Sequence, residues 1–441
     1  MAGRGLVAEV ILWGARIGAV SWDDERRLAA FEYDPQFRHS GIELAPLTMP
    51  LSDRIYTFPQ LNRESFHGLP GLLADSLPDK FGNRLIDAWL VREGRSVDSF
   101  TPVERLCYIG TRGMGALEFR PAIGSRKRKS EPLDVAELVL LANEVLSNRA
   151  SMHIRLGDAD GDGRREAMND ILQVGVSAGG ARAKAVIAWN PATNEVRSGQ
   201  VKAPAGFQHW LLKFDGVREN RDKEALADPQ GFGLIEYAYY RMATAAGIAM
   251  APCRLLRENG RYHFMTKRFD RTDGGGRLHM QTLCAIAHYD FNQAGAYGYE
   301  QALEVIDRLG LGKDALEEQF RRMVFNVAAR NQDDHTKNIA FLMDKSGAWS
   351  LSPAYDVTYA YNPLGQWTNQ HQMSVNGKRR DIELADFLTV AERFRITLPR
   401  ARRIVREVDA AIAQWPRFAE EADVPASFQA QIQREQRRYS A

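Results

Sequence analysis

The sequence is poor in cysteine: Cys107, Cys253 and Cys284 are the three it has in 441 residues. They are odd in number and far apart, and no CxxC pair exists, which excludes a disulfide framework and a cysteine zinc site. That usage fits a reducing compartment. The chain also lacks an excess of either charge, with 58 basic against 56 acidic side chains and a net charge of +2. Such a balance argues against a protein whose main task is gripping nucleic acid by its phosphates, and leaves only a local basic patch for that role. No apolar run approaches the length of a membrane-spanning helix. Met1 to Gly5 lacks the apolar core of a signal peptide, so a soluble, cytoplasmic protein is expected. No internal repeat is evident. What remains is ordinary globular composition, 44% hydrophobic and 26% charged. At this length the chain is too long for one core, so two or three domains or lobes are expected.

Residues 7–60 read as short strands and turns, with Trp13-Gly14 as one turn. Between Leu69 and Val91, Leu72, Leu73, Leu77, Phe81, Leu85, Ile86 and Trp89 have the spacing of an amphipathic helix, broken at Pro78. The run Arg126 to Lys129 reads as a solvated linker, with a nucleic-acid patch as the alternative. A helix is expected over 133–147. A strand-rich stretch follows, with strands at Leu172 to Val176, Ala185 to Trp189, His209 to Phe214 and Tyr262 to Phe269, and a helix at Leu234 to Ala246. From about Glu300 the pattern is mainly helical, apart from a hairpin near 339–351.

The most informative segment is Asn331-Gln332-Asp333-Asp334-His335-Thr336-Lys337-Asn338. Phe320, Met323, Val324, Val327 and Ala328 place a buried helix before it. Ile339 to Met343 and Trp349 to Leu351 make a hairpin after it, and Ser352-Pro353-Ala354-Tyr355-Asp356 follows. Protein kinases order their active site in the same way. A loop Asp receives the substrate hydroxyl proton, an Asn five positions later binds magnesium, and a further Asp after a hairpin binds it too. Asp333 and Asn338 have that spacing, and Asp356 stands in the third place. Hard Mg²⁺ takes oxygen ligands, and the base must be a carboxylate near the incoming hydroxyl. The competing reading makes the Asp-Asp-His cluster a helix cap paired with Arg330 or Lys337.

Upstream, Val174 to Lys184 holds a glycine-rich turn, with Gly179 and Gly180, whose amides could approach phosphates. It is not a Walker A loop, since no Gly-Lys-Ser/Thr ending follows. His209 to Phe214 puts Lys213 in an apolar strand, where it needs a partner. Glu236, on the helix Leu234 to Ala246, is the expected partner, as in kinases. The alternative is a lysine that buries its stem and extends its head to solvent.

Together these pieces resemble the HipA family of toxin–antitoxin serine/threonine kinases. The matching segments are Ser177 to Lys184, His209 to Phe214, Glu236-Tyr237, Lys267 to Asp270, Met280-Gln281-Thr282, Asp333 to Asn338 and Leu351 to Asp356. The resemblance implies an α+β, two-lobed, protein-kinase-like fold with a mixed α/β amino-terminal lobe and an all-α carboxy-terminal lobe. The expected divisions are a β-rich subdomain over 1–130, a nucleotide-binding part over 131–270 and a helical lobe over 271–441. It implies ATP and Mg²⁺ as cofactors. Asp333 would be the catalytic base, and Asn338 and Asp356 the metal ligands. Ser177, Gly179, Gly180, Lys213, Glu236, Lys267, Phe269, Gln281, His335 and Lys337 would lie about the nucleotide, Lys267 and Phe269 through their backbones. Ser177 matches the family's autophosphorylated serine. A double negative charge there would compete with the phosphates of ATP. Known members imply a small helix-turn-helix antitoxin as partner, DNA reached only through it, and an aminoacyl-tRNA synthetase as protein substrate.

The sequence departs from the family in places. Asp334 stands where glycine is frequent, Lys267 where some members have an acid, and Cys284 to Tyr299 follows the pattern poorly. Gln332 replaces the arginine that precedes the catalytic Asp in many protein kinases, which disfavours control through a phosphorylated activation loop. Asp158 to Gly163 looks like an EF-hand start, but Asn169 stands where the bidentate glutamate belongs, so it reads as a solvated turn. His335 alone is a weak metal ligand, and Arg434, Arg437 and Arg438 read as a solvated helix end. Three rival functions remain: a small-molecule kinase, a metal-dependent phosphoesterase built on Asp333, Asp334, His335 and Asp356, and a silent partner of a DNA-binding antitoxin.

Overall fold

The computed structural model describes residues 7–78, 80–92, 94–121, 182–199, 205–216, 231–258, 260–272 and 275–440. The basic run after Arg126, the helix expected over 133–147, the EF-hand-like turn and the glycine-rich loop with Ser177, Gly179 and Gly180 lie outside them.

The first sheet is antiparallel, in the order β3-β2-β1-β4, from β1 (Val7–Leu12), β2 (Ala15–Asp23), β3 (Leu28–Tyr33) and β4 (Leu117–Arg120). Ala8 and Val10 are buried while Val7 and Glu9 face solvent, the period-two pattern of a half-buried strand. Trp13 and Gly14 both have positive φ, 49° and 89°, as a two-residue hairpin turn needs to match strand twist. Helices α1 (Arg63–Phe66), α2 (Gly71–Ala74), α3 (Lys80–Arg92) and α4 (Pro102–Ile109) follow, and Pro78 stands between α2 and α3. The α4 start carries a capping box between Thr101 and Glu104, with Pro102 at the first helical position.

A five-stranded antiparallel sheet comes next: β5 (Lys184–Trp189), β6 (Val196–Ser198), β7 (Gln208–Lys213), β8 (Cys253–Glu258) and β9 (Arg261–Lys267), in the order β6-β5-β7-β9-β8. Every residue of β5 is buried, as expected of a strand covered on both faces. Helix α5 (Phe232–Ala245) lies against β8 and β9. The two approach so closely at Gly233 that a Cβ there would stand 2.4 Å from the Tyr262 carbonyl oxygen.

The remaining third is not all-α. Strands β10 (His279–Thr282), β11 (Ala340–Met343) and β12 (Trp349–Leu351) form a third sheet. The hairpin was legible, but β10 is four residues long and three of them, His279, Gln281 and Thr282, are polar, so no periodicity marks it. Its stability is tertiary: β10 pairs with β11, and its Gln281 side chain donates to the Leu44 carbonyl of the first domain. Helices α6 (Leu283–Ala287), α7 (Tyr299–Arg308), α8 (Gly312–Ala328), α9 (Leu384–Arg393), α10 (Leu398–Ile412), α11 (Trp415–Glu421) and α12 (Ala426–Glu435) complete the region. They enclose a core that includes Phe320, Val324, Ile404, Val408 and Trp415, together with Tyr239 and Met242 of α5. Each such side chain contributes about 1.5–3 kcal/mol by leaving water.

The first domain is fastened to the rest by buried polar contacts. Asp75 accepts from the backbone and hydroxyl of Thr282, at 2.7 and 2.8 Å. Asp290 accepts from Asn62 and Ser65. Trp13 donates to the Arg277 carbonyl and Trp349 to that of Glu43. Asp270 is gripped by Arg268 and Arg271 and accepts from the Gly115 backbone. Burial alone would raise its pKa, yet the two guanidiniums hold it far below the usual carboxylate range. No helix among the described residues is long and apolar enough to cross a membrane.

Candidate active site

Strand β7 ends in Lys213, which lies directly opposite Lys184 on β5 and Phe264 on β9. An ammonium at the end of an apolar strand loses hydration and must be repaid by nearby anions. Two carboxylates meet it: Glu236 from α5 at 2.6 Å and Asp356 at 2.5 Å. Burial pulls the Lys213 pKa down, but Asp356 and Glu236 together hold it above the ordinary lysine value. The two acids differ. Glu236 is enclosed, and burial pushes its pKa up despite Lys213. Burial presses the same way on Asp356, but Lys213 and then Lys184 bring it down to about 2. The difference is physical, because Asp356 faces two lysines and its side chain is 28% exposed, whereas that of Glu236 is 3% exposed.

The approach to Asp356 is built from the helical region. Ser352 donates its backbone N–H to Ala340, Ala354 donates to Ala249, and Arg322 of α8 donates to the Ser352 carbonyl. Asp356 itself has φ 52°, a left-handed conformation that Asp tolerates better than most residues. Tyr355 just before it donates to the Lys337 carbonyl at 2.5 Å, joining this turn to the polar loop.

In that loop, Asn331 and Gln332 are held by a bridge to the Ala360 backbone. The Asp333 carboxylate accepts from the Trp367 indole N–H at 2.6 Å, with His335 Nε2 at 3.9 Å. Asn338 Nδ2 donates to the Asp333 carbonyl at 2.8 Å. That bond commits the amide nitrogen and leaves the amide oxygen as the atom Asn338 can offer a cation. His335 also acts electrostatically on Asp356. One carboxylate and one amide oxygen fit Mg²⁺, which is bound through one or two carboxylates plus substrate phosphates rather than by a protein cage.

The structure does not bear out the helix-cap reading of Asp-Asp-His. Arg330 donates to the Glu435 carbonyl and lies over Tyr361, and Lys337 lies over the Phe291 ring. Asp334, unusual beside the expected base, turns away into the protein. It accepts from Tyr299 and the Gln372 backbone and pairs with His371, at 2.7–2.8 Å. Burial opposes its charge, but His371, Tyr299 and that N–H keep its pKa below the usual value.

Lys267 ends β9, with its backbone N–H on the Pro252 carbonyl, and the Phe269 ring stands 5.7 Å from that of Tyr355. The Gln281 side chain is fully buried, with its amide nitrogen on Leu44 and His279. Two residues given no role by sequence reasoning do stand here. Lys184 is 2% exposed yet acts on Asp356; a lysine heading the apolar run Ala185 to Trp189 was its signal. Trp367, thirty-four positions past Asp333, had none.

Two family models match the chain, a HipA N-terminal domain over residues 8–120 and a HipA-like C-terminal domain over 176–415. The second spans more than half of the sequence. The chain belongs to the HipA family. A relative named putative kinase Y4mE, from Sinorhizobium fredii, is 27% identical over 198 residues, 41% of this chain and 46% of that protein. The match thus spans less than half of that relative's length. A chain of the Shewanella oneidensis MR-1 toxin–antitoxin complex of HipA, HipB and operator DNA superposes with TM-score 0.66 at 17% identity. The alignment covers 97% of this HipA-family chain and 95% of that one. At that identity the likeness speaks for the fold.

Proposed function

We propose that this HipA-family chain is an ATP-dependent serine/threonine protein kinase. The observation that carries the reading is Lys213 bridging Glu236 and Asp356, opposite Lys184. Two lysines at the end of a strand pair, one of them locked between a helix glutamate and an aspartate, suit the phosphates of a nucleotide. Asn338 and Asp356 would hold Mg²⁺, which neutralises phosphate charge when bound. Asp333 would orient the acceptor hydroxyl and take its proton. The hydroxyl oxygen bonds to the γ-phosphorus as the bond to the bridging oxygen breaks, and ADP leaves with that electron pair. Catalysis then rests on positioning and charge.

The finer reading follows the family. The chain would act as the toxin of a toxin–antitoxin pair, autophosphorylate on Ser177 in the loop with Gly179 and Gly180, and modify a translation component such as an aminoacyl-tRNA synthetase. A small helix-turn-helix antitoxin would be its partner. The solved Shewanella relative with HipB and operator DNA supports that assembly. The division into 1–130, 131–270 and 271–441 is kept as part of the proposal. Titration calorimetry with Mg–ATP tests the nucleotide site. Wild type is expected to bind, and Lys213→Met and Asp356→Asn to bind at least about 10-fold more weakly. A wild type indifferent to ATP contradicts the reading.

A further inference from the structure

The loop 361–372 is tied to the catalytic segment on both sides of Asp333. Before it, the Gln372 side-chain amide reaches the Gln332 carbonyl at 3.4 Å. After it, the Gln372 backbone N–H and His371 Nδ1 meet the two oxygens of Asp334 at 2.7 and 2.8 Å. The same Gln372 amide donates to the Trp367 carbonyl. One glutamine therefore fixes both the flanks of Asp333 and the backbone of Trp367, and Trp367 delivers its indole N–H to Asp333 Oδ1. An indole nitrogen is a donor only, and a carboxylate has about four acceptor sites on two oxygens. A donor on one oxygen sets the carboxylate's rotamer without exhausting its capacity to accept.

We propose that Trp367 is a positioning residue, its indole N–H holding the Asp333 carboxylate in the orientation from which it receives the acceptor hydroxyl's proton. This rests on the phosphotransfer reading above. Without the donor the carboxylate loses the bond that fixes Oδ1, and a misplacement of about 1 Å costs as much as roughly 100-fold in rate. Trp367 acts through Asp333, the group assigned to the acceptor's proton, so the loss is expected on kcat rather than on KM for ATP.

Two measurements test it on the full chain. Trp367→Phe keeps a ring and removes the donor; kcat is expected to fall about 10-fold or more, with KM for ATP little changed. Trp367→His, which restores a ring N–H, should recover part of the loss. In ¹H–¹⁵N spectra, the indole resonance absent from Trp367→Phe should move in Asp333→Asn. Undiminished kcat in Trp367→Phe, or an indole resonance indifferent to Asp333→Asn beside an active wild type, overturns the inference alone. A wild type that transfers no phosphate overturns the phosphotransfer reading, and the inference with it.

Discussion

At the scale of residues, the site is a balance of buried charge, and Lys213 is its pivot. Removing it takes the bonded ammonium from both Glu236 and Asp356 and leaves Lys184 acting on Asp356. Breaking a buried pair from one side costs about 3–5 kcal/mol. Lys213→Met is therefore expected to lower stability to urea by that order and to abolish transfer. Adding Glu236→Gln should restore much of the stability and none of the activity. A double variant as unstable as the single one would show that Glu236 is not the counter-charge. Lys213 and Glu236 were legible because a lysine in an apolar strand demands a partner and a helix followed. Asp334 was legible as a departure from the family pattern, but the direction in which it turns was not. Its partners Tyr299, His371 and Gln372 lie far off in sequence, and no local pattern announces them.

At the scale of elements, close packing sets where those charges stand. Helix α5 carries Glu236 one turn after Gly233, and Gly233 touches the backbone of β9. Gly233→Ala is expected to cost about 1–3 kcal/mol through overpacking. It should also weaken nucleotide binding, since the helix must lift and take Glu236 with it. A melting temperature and ATP affinity equal to wild type would contradict that coupling. The strands β5, β7 and β9 were readable from their apolar runs, and the helix, loop and hairpin around Asp333 from their order. Strand β10 was not, because a short, mostly polar strand forms only where a neighbour and a second domain complete it. The burial of Gln281 was not legible for the same reason: its partner Leu44 is known only once the domains meet.

At the scale of the whole molecule, histidines at the seam between the first domain and the rest make the assembly sensitive to acid. His288 Nε2 accepts the backbone N–H of Gly71 at 3.1 Å, which requires the neutral ring. Burial pushes its pKa down to about 4, and that of His279 on β10 to about 3. The unfolded chain protonates histidine near pH 6.5. Below that value the unfolded state binds protons that the folded state refuses, so stability present above pH 6.5 is lost as pH falls toward 4. At pH 5 the loss is on the order of 2 kcal/mol for each ring. Urea unfolding at pH 7 and pH 5 checks this: His288→Asn should start less stable and lose less between the two. An equal loss in both proteins would place the acid sensitivity elsewhere.

On the proposed function, Lys213, Asp333, Asn338 and Asp356 form a phosphoryl-transfer site. The most direct test is to incubate wild type and Asp333→Asn with γ-labelled Mg–ATP and to map the labelled residues. Label is expected on a serine of the wild type, Ser177 above all, and none on Asp333→Asn. Equal labelling of the two proteins, or no labelling of wild type with or without added protein substrate, would contradict it.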